Sequence, residues 1–160
     1  MIHKSEYRKT LGTFTTGVTI ITTQSEGSYY GFTANSFTSV SLDPPLVLFC
    51  VNKEATFAEV VTKSKYFGIN ILTAEQEALS NKFANPALVN NKRFEGVDYT
   101  ISDMGCPIIS GCLAYLDCSQ FSISEAGTHY VVMGTVEHFE RYRQESPLIY
   151  YGGGYRKLSK

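Results

Sequence analysis

Residues 31–50 read GFTANSFTSVSLDPPLVLFC. After a glycine they present Thr33, Asn35, Ser36, Thr38, Ser39 and Ser41, turn at Asp43-Pro44-Pro45, and run into the apolar stretch Leu46–Val51. Short side chains on extended backbone leave main-chain N–H and C=O groups open to a flat heterocycle. A string of hydroxyls and amides can also hold a phosphate without many cations. On composition alone the plainer reading, a half-exposed strand ending in a serine-rich loop, takes precedence.

No nucleophile–base constellation competes with that segment. The histidines His3, His129 and His138 lie in no metal-binding or nucleophilic motif. No G-x-G-x-x-G follows a strand and no phosphate-binding P-loop is present, so dinucleotide binding of the Rossmann type and phosphoryl transfer lack support. Cys50, Cys106, Cys112 and Cys118 form no C-x-x-C pair. If Cys112 and Cys118 share one strand they stand about 20 Å apart, too far for a disulfide or a common metal. All four read as small buried hydrophobes. Hydride chemistry between two cofactors needs no catalytic side chain, since the protein supplies position and electrostatics.

The elements that must hold the segment follow from periodicity and punctuation. Residues 4–14 predict a short helix with Tyr7, Leu11 and Phe14 on one face, closed by Gly17. Val18–Thr23, β-branched at nearly every position, predicts a strand, and Glu26-Gly27-Ser28 turns it into a hairpin partner over 29–37. Leu46–Val51 predicts a buried strand, and Thr56 an N-cap for a helix carrying Phe57, Val60 and Val61. Tyr66–Leu72 is a further strand. Thr73-x-x-Gln76 has the form of a capping box for a helix to about Ala84, stopped by Asn85-Pro86. Residues 86–107 read as an irregular excursion with one short helix near 91–94. Gly111–Ser124 and Tyr130–Arg141 are two long strands about the Glu125-Ala126-Gly127 turn, and the tail from Pro147 is aromatic and glycine-rich. Strands joined by hairpins outnumber helices, the pattern of an antiparallel barrel with a few helices attached.

At 160 residues the chain predicts a single domain over 1–160. A formal charge of −1 with scattered Lys and Arg argues against a nucleic-acid surface. No stretch approaches the ~20 apolar residues of a membrane span, and no apolar core of a signal peptide follows Met1, so a cytoplasmic protein is expected. Eleven tyrosines and ten phenylalanines exceed what one small core readily hides, which predicts a homodimer.

The chain strongly resembles the short-chain flavin reductases, the reductase partners of two-component flavin monooxygenases such as those acting on 4-hydroxyphenylacetate. The resemblance begins at Thr16-Gly17-Val18-Thr19-Ile20-Ile21-Thr22 and continues through Gly31-Phe32-Thr33-Ala34-Asn35-Ser36-Phe37 and Ser41-Leu42-Asp43-Pro44-Pro45-Leu46-Val47. It returns at Gly127-Thr128-His129 and Pro147–Tyr155, and so spans the chain in order. It implies a mainly β fold: a six-stranded antiparallel Greek-key split β-barrel with a few peripheral helices, dimeric and FMN-binding.

The same resemblance implies an NAD(P)H:flavin oxidoreductase. It would transfer a hydride from NADH or NADPH to FMN or FAD and pass the reduced flavin to a separate monooxygenase. A reductase of another acceptor (ferric iron, a corrin) and a non-catalytic flavin- or haem-binding split barrel are the alternatives. Thr33, Ala34, Asn35 and Ser36 are expected along the ribityl chain and ring, and Ser39, Val40 and Ser41 at the isoalloxazine edge through main chain. Cys50, Val51 and Asn52 are expected on the other side, with Thr56 at the phosphate. Lys82 and Phe83 are expected at the phosphate or adenine, and His129 and Tyr155 at the nicotinamide. Two departures stand out. Lys53-Glu54-Ala55-Thr56 carries fewer hydroxyls than usual and no arginine, so one phosphate contact is either missing or replaced by Lys53. The turn usually written Gly-Asp-His is Gly127-Thr128-His129, so His129 loses a neighbouring carboxylate.

Overall fold

The computed structural model describes residues 2–158. Its strands are β1 (Thr16–Gly17), β2 (Thr19–Ser25), β3 (Ser28–Ala34), β4 (Thr38–Leu42), β5 (Pro45–Asn52), β6 (Tyr66–Ile71), β7 (Tyr99–Ile101), β8 (Pro107–Ile109), β9 (Ala114–Ala126), β10 (His129–Arg141), β11 (Ile149–Tyr151) and β12 (Gly154–Arg156). The α-helices are α1 (Lys4–Leu11), α2 (Thr56–Val61) and α3 (Glu77–Ala84), with 3-10 turns at Ala74–Gln76 and Asn90–Arg93. The described fold is mainly β, as expected.

The main sheet is antiparallel and has seven strands, in the order β3-β2-β6-β9-β10-β5-β4, where six were expected. The additional strand is β4. Its Ser39 and Ser41 read as loop in the sequence, yet they pair with β5 through the Asp43-Pro44 turn. Serine is common on a strand that faces solvent, and β4 is such an edge. The two edges of this sheet, β3 and β4, are joined by residues 35–37 alone. Laid flat, seven strands would separate their edges by about 29 Å, whereas that link spans at most about 14 Å. The sheet therefore curls until its edges approach each other, as its right-handed twist favours. A three-stranded sheet (β1-β11-β12) and the β7–β8 hairpin complete the described strands. Strand β7 and the turn of that hairpin lie within residues 86–107, the stretch expected to be irregular, and β8 runs two residues past it.

Two apolar clusters sit on opposite faces of β2. Ile21 points into one with Phe49, Val51, Phe57, Val61, Phe67, Ile69 and Val132. Ile20 points into the other with Val18, Leu72, Phe83, Phe94, Ile109 and Leu148. A strand covered on both faces has no polar side, which explains the unbroken β-branched run. Its buried threonines satisfy themselves on neighbouring carbonyls: Thr19, Thr22 and Thr23 donate to Ala34, Pro107 and Tyr66, each at 2.7 Å. The β2–β3 turn places Glu26 and Gly27 at φ 50° and 75°, the two-residue turn that matches strand twist. At Gly134, beside a bulge in β10, a Cβ would stand 2.4 Å from the Phe67 ring. Only glycine lets that ring cross.

Helix α1 differs from expectation in its packing. None of its residues is buried, and Tyr7, Leu11 and the following Phe14 are 55%, 56% and 78% exposed. The apolar spacing is present, but nothing among the described residues covers it.

Candidate functional site

Strand β3 forms one wall of the site. Alternation turns Phe32 inward, where its ring meets Phe57 at 4.5 Å, and leaves Thr33 facing out. Three cavities meet at Thr33. One of about 200 Å³ lies between Val18, Asn35, Ala84, Tyr150 and Tyr155. A second, about 400 Å³, runs past Ala55, Thr56, Ala84, Pro86 and Arg93. A third, about 300 Å³, is lined by Asn35, Ser36, Cys50, Asn52 and His129. Because all three share Thr33, they lie side by side and form a groove along β3, bordered by α3, β5 and the β11–β12 pair.

Each wall is fixed by its own hydrogen bonds. Thr33 Oγ1 donates to the Ser80 carbonyl at 2.6 Å, which docks β3 on α3. The Ser36 hydroxyl accepts from the Cys50 N–H and donates to the Cys50 C=O, both at 3.0 Å. These two hydrogen bonds to one residue lay the 35–37 link onto β5. Tyr155 bonds the Ser80 hydroxyl at 2.6 Å and meets the Tyr150 ring edge-on at 5.6 Å, so the β11–β12 hairpin forms the far wall. Gln76 accepts from the Thr73 N–H at 3.0 Å, as the capping-box pattern predicted, and this sets the start of the Ala74–Ala84 helical segment.

The charged end of the groove belongs to Arg93. Its guanidinium donates to the carbonyls of Leu88 (2.8 Å), Gly31 and Asn85 (3.1 Å), and partial burial lowers its pKa. Among the described residues it pairs with no carboxylate. Thr56 lies in the same cavity, at the first position of α2. The helix begins one residue earlier than a Thr56 N-cap requires: Ala55 occupies the cap, and no side chain caps the turn. Beside them the Asn90 side-chain oxygen is buried without a partner. That oxygen calls for a donor, and Arg93 keeps two N–H groups beyond its three carbonyl bonds.

Residues 11–159 match the model of the flavin reductase-like domain. The chain belongs to that family. Among its relatives, the reductase subunit HsaB of a flavin-dependent monooxygenase from Rhodococcus jostii is 40% identical over 154 residues, 96% of this chain and 77% of that protein. The FMN reductase (NADH) SmoA of Agrobacterium fabrum is 37% identical, over 96% of this chain and 86% of that protein. The NADH:FAD oxidoreductase SgcE6 of Streptomyces globisporus, solved in complex with NAD and FAD fragments, superposes with a TM-score of 0.92 at 35% identity. That superposition covers 98% of this chain and 93% of SgcE6.

Within this member of the flavin reductase-like family, Thr33, Asn35, Ser36, Cys50, Asn52, Thr56, His129 and Tyr155 all line the groove. Ala34 and Val51 also line the third cavity and Phe83 the second, although all three are buried. Ser39, Val40 and Ser41 line none of these cavities; they sit on edge strand β4 beside them. Lys82 donates to the Glu95 carbonyl and lies outside the linings. Lys53, read as a replacement contact, is held by Glu125 at 2.7 Å and stands over the Tyr130 ring. His129 and Tyr155 line separate cavities that share Thr33 and Asn35, rather than one pocket. The Thr128 hydroxyl bonds His129 Nδ1 at 2.9 Å, taking the place of the missing carboxylate as the ring's neighbour. Arg93 was the residue missed. Its only sequence signal is the short helical turn at 91–94, and the carbonyls that fix it come from distant strand and loop.

Proposed function

We propose that this chain is an NADH-dependent flavin reductase that supplies reduced FMN or FAD to a separate monooxygenase. Family membership and relatives named as reductase subunits and NADH-dependent flavin reductases support the activity. The observation that carries the site assignment is the meeting of three cavities at Thr33, with hydroxyls and amides along the groove and an uncompensated guanidinium at one end. In this reading the curled seven-stranded sheet is a split barrel whose parting line is the binding groove, and the chain is a single domain.

Bound flavin supplies the hydride acceptor and NADH the hydride. The chain's part is to hold and align. Arg93 and Thr56 take the phosphate; Thr33, Asn35 and Ser36 line the ribityl path. Main-chain groups of Ser39, Val40 and Ser41 on the free edge of β4, and of Ala34, Val51 and Asn52, face the ring edge. There, N–H donors bear the negative charge that develops on reduction. Tyr155 and His129 flank the open face and orient the nicotinamide. Lys82 and Phe83 support the wall from α3. Phosphate binding through one arginine and neutral donors gives modest affinity, which suits a flavin that must leave.

The working unit in this reading is a cytoplasmic homodimer. The uncovered faces of α1 (Tyr7, Leu11), Leu42 on β4 and Phe139 on β10 support it. Among the described residues no helix is long and apolar enough to cross a membrane. Anaerobic addition of NADH to the purified protein with FMN or FAD tests the activity. Bleaching of the flavin bands is expected, and absence of both flavin binding and NADH consumption would overturn it.

A further inference from the structure

A further cavity, of about 320 Å³, shares no lining residue with the groove. It lies where the β7–β8 turn meets the bases of β9 and β10. Its polar lining is Ser102, Asp103, Tyr115, Asp117, His138 and Glu140. No lysine or arginine lines it.

Asp117 is the decisive group. It is 2% exposed, yet among the described residues no cation pairs with it. Two neutral donors reach it, Tyr115 at 2.7 Å and Ser102 at 3.0 Å, and both fall on Oδ1. Oδ2 accepts no hydrogen bond from the described residues, and Asp117 is part of the cavity lining. Burial, and then the bond to Asp117, push the Tyr115 hydroxyl upward, so it stays a donor. A buried carboxylate with one free oxygen is costly unless a cation or further donors meet it. Asp103 and Glu140 add negative charge at the exposed rim, and the Tyr115 and Tyr142 rings add faces that attract cations.

We propose that this cavity binds a small organic cation, an alkylammonium or guanidinium, with its charged head on Asp117 Oδ2. The volume equals that of roughly ten waters, which fits a ligand of about that many non-hydrogen atoms. The ammonium or guanidinium donates to Asp117 and Glu140, while its methylenes lie against Ile101, Met104 and Ile108. This site stands apart from flavin and nicotinamide, and the cation is neither oxidised nor reduced there.

Agmatine is the probe, titrated calorimetrically into the full-length protein, with 1,5-pentanediol as the uncharged counterpart and sodium chloride at matched ionic strength. Saturable agmatine binding is expected, with no response to the diol or the salt. Asp117→Asn keeps the acceptor for Tyr115 and should weaken agmatine at least about tenfold, the loss of one charge-assisted contact. Glu140→Gln, at the exposed rim, should weaken it several-fold and leave NADH-driven flavin reduction unchanged. If Asp117→Asn does not fold, Glu140→Gln combined with Asp103→Asn decides the matter. Equal responses to agmatine and the diol, or unaltered agmatine affinity in these variants, would overturn the proposal.

Discussion

Replacing Arg93 with methionine keeps the aliphatic stem and removes the guanidinium. Three carbonyls then lose a donor, those of Gly31, Leu88 and Asn85. The group is only partly buried, so solvent recovers much of each bond, and we expect a loss of about 2–3 kcal/mol, or roughly 5–10 °C in Tm. Binding is the sharper test. A guanidinium about 4 Å from a phosphate at an effective dielectric near 20 is attracted by about 4 kcal/mol, and exposure reduces that to roughly 1.5–3 kcal/mol. FMN affinity should therefore fall about ten- to 150-fold. Riboflavin, which lacks the phosphate, should bind parent and variant within about threefold. Fluorescence quenching of both flavins at a temperature well below unfolding measures the ratio. If FMN and riboflavin weaken by the same factor, Arg93 acts only by tethering the 85–97 segment to β3, and the phosphate assignment fails.

Four further outcomes are expected. Tyr155→Phe removes the Ser80 bond and His129→Ala the ring at the other end. Each should raise KM for NADH or slow flavin reduction by about three- to tenfold in stopped flow, with oxidised-flavin affinity within a few-fold; unchanged NADH parameters would return that residue to a packing role. Gly134→Val would drive a side chain into Phe67 and should cost at least about 3 kcal/mol in urea unfolding, whereas Gly17→Ala, with nothing within 4 Å, should stay within about 0.5 kcal/mol. Burial pushes the thiols of Cys106 and Cys112 up to about 12 and about 11, and raises Cys118 as well. The unfolded chain loses these protons first, so stability should be flat below pH 9 and decline from there towards the folded values, and replacing all three with alanine should flatten that limb. Sedimentation at micromolar concentration should give twice the chain mass; a fully active monomer would refute the dimer.

What the sequence disclosed, and what it withheld, follows the range of the forces involved. Thr73 and Gln76 lie three apart, so their capping box was legible locally and forms as read. Val18–Thr23 was legible because a strand buried on both faces must be apolar or self-satisfied throughout. Strand β4 was not, because an exposed edge tolerates the serines that also mark loops, and only β5 tells them apart. The groove residues Thr33–Ser36 were recognisable as a set, but the partners that fix them, Ser80 and the Cys50 peptide, lie far along the chain. Arg93 and Lys53 exchange the roles that charge alone assigns them. Lys53 is neutralised by Glu125 across a strand pair, and Arg93 is left with carbonyls.

The β11–β12 hairpin has a bearing on how the protein is made. Strand β1 finds its partner only in β11, with Thr16 opposite Tyr150, and Tyr150 and Tyr155 wall the groove. At ordinary translation rates of about 5–20 residues per second, β1 leaves the ribosome on the order of ten seconds before that partner exists. During the interval the β3-β2-β6 and β4–β5 pairings can form, but the groove lacks the wall that Tyr150 and Tyr155 supply. A prematurely terminated product lacking residues 149–156 would be missing one wall of the groove. Such fragments would reach the cell's proteases without the stabilisation that a bound ligand gives. Synthesis to the last strands is thus itself a condition for closing the groove.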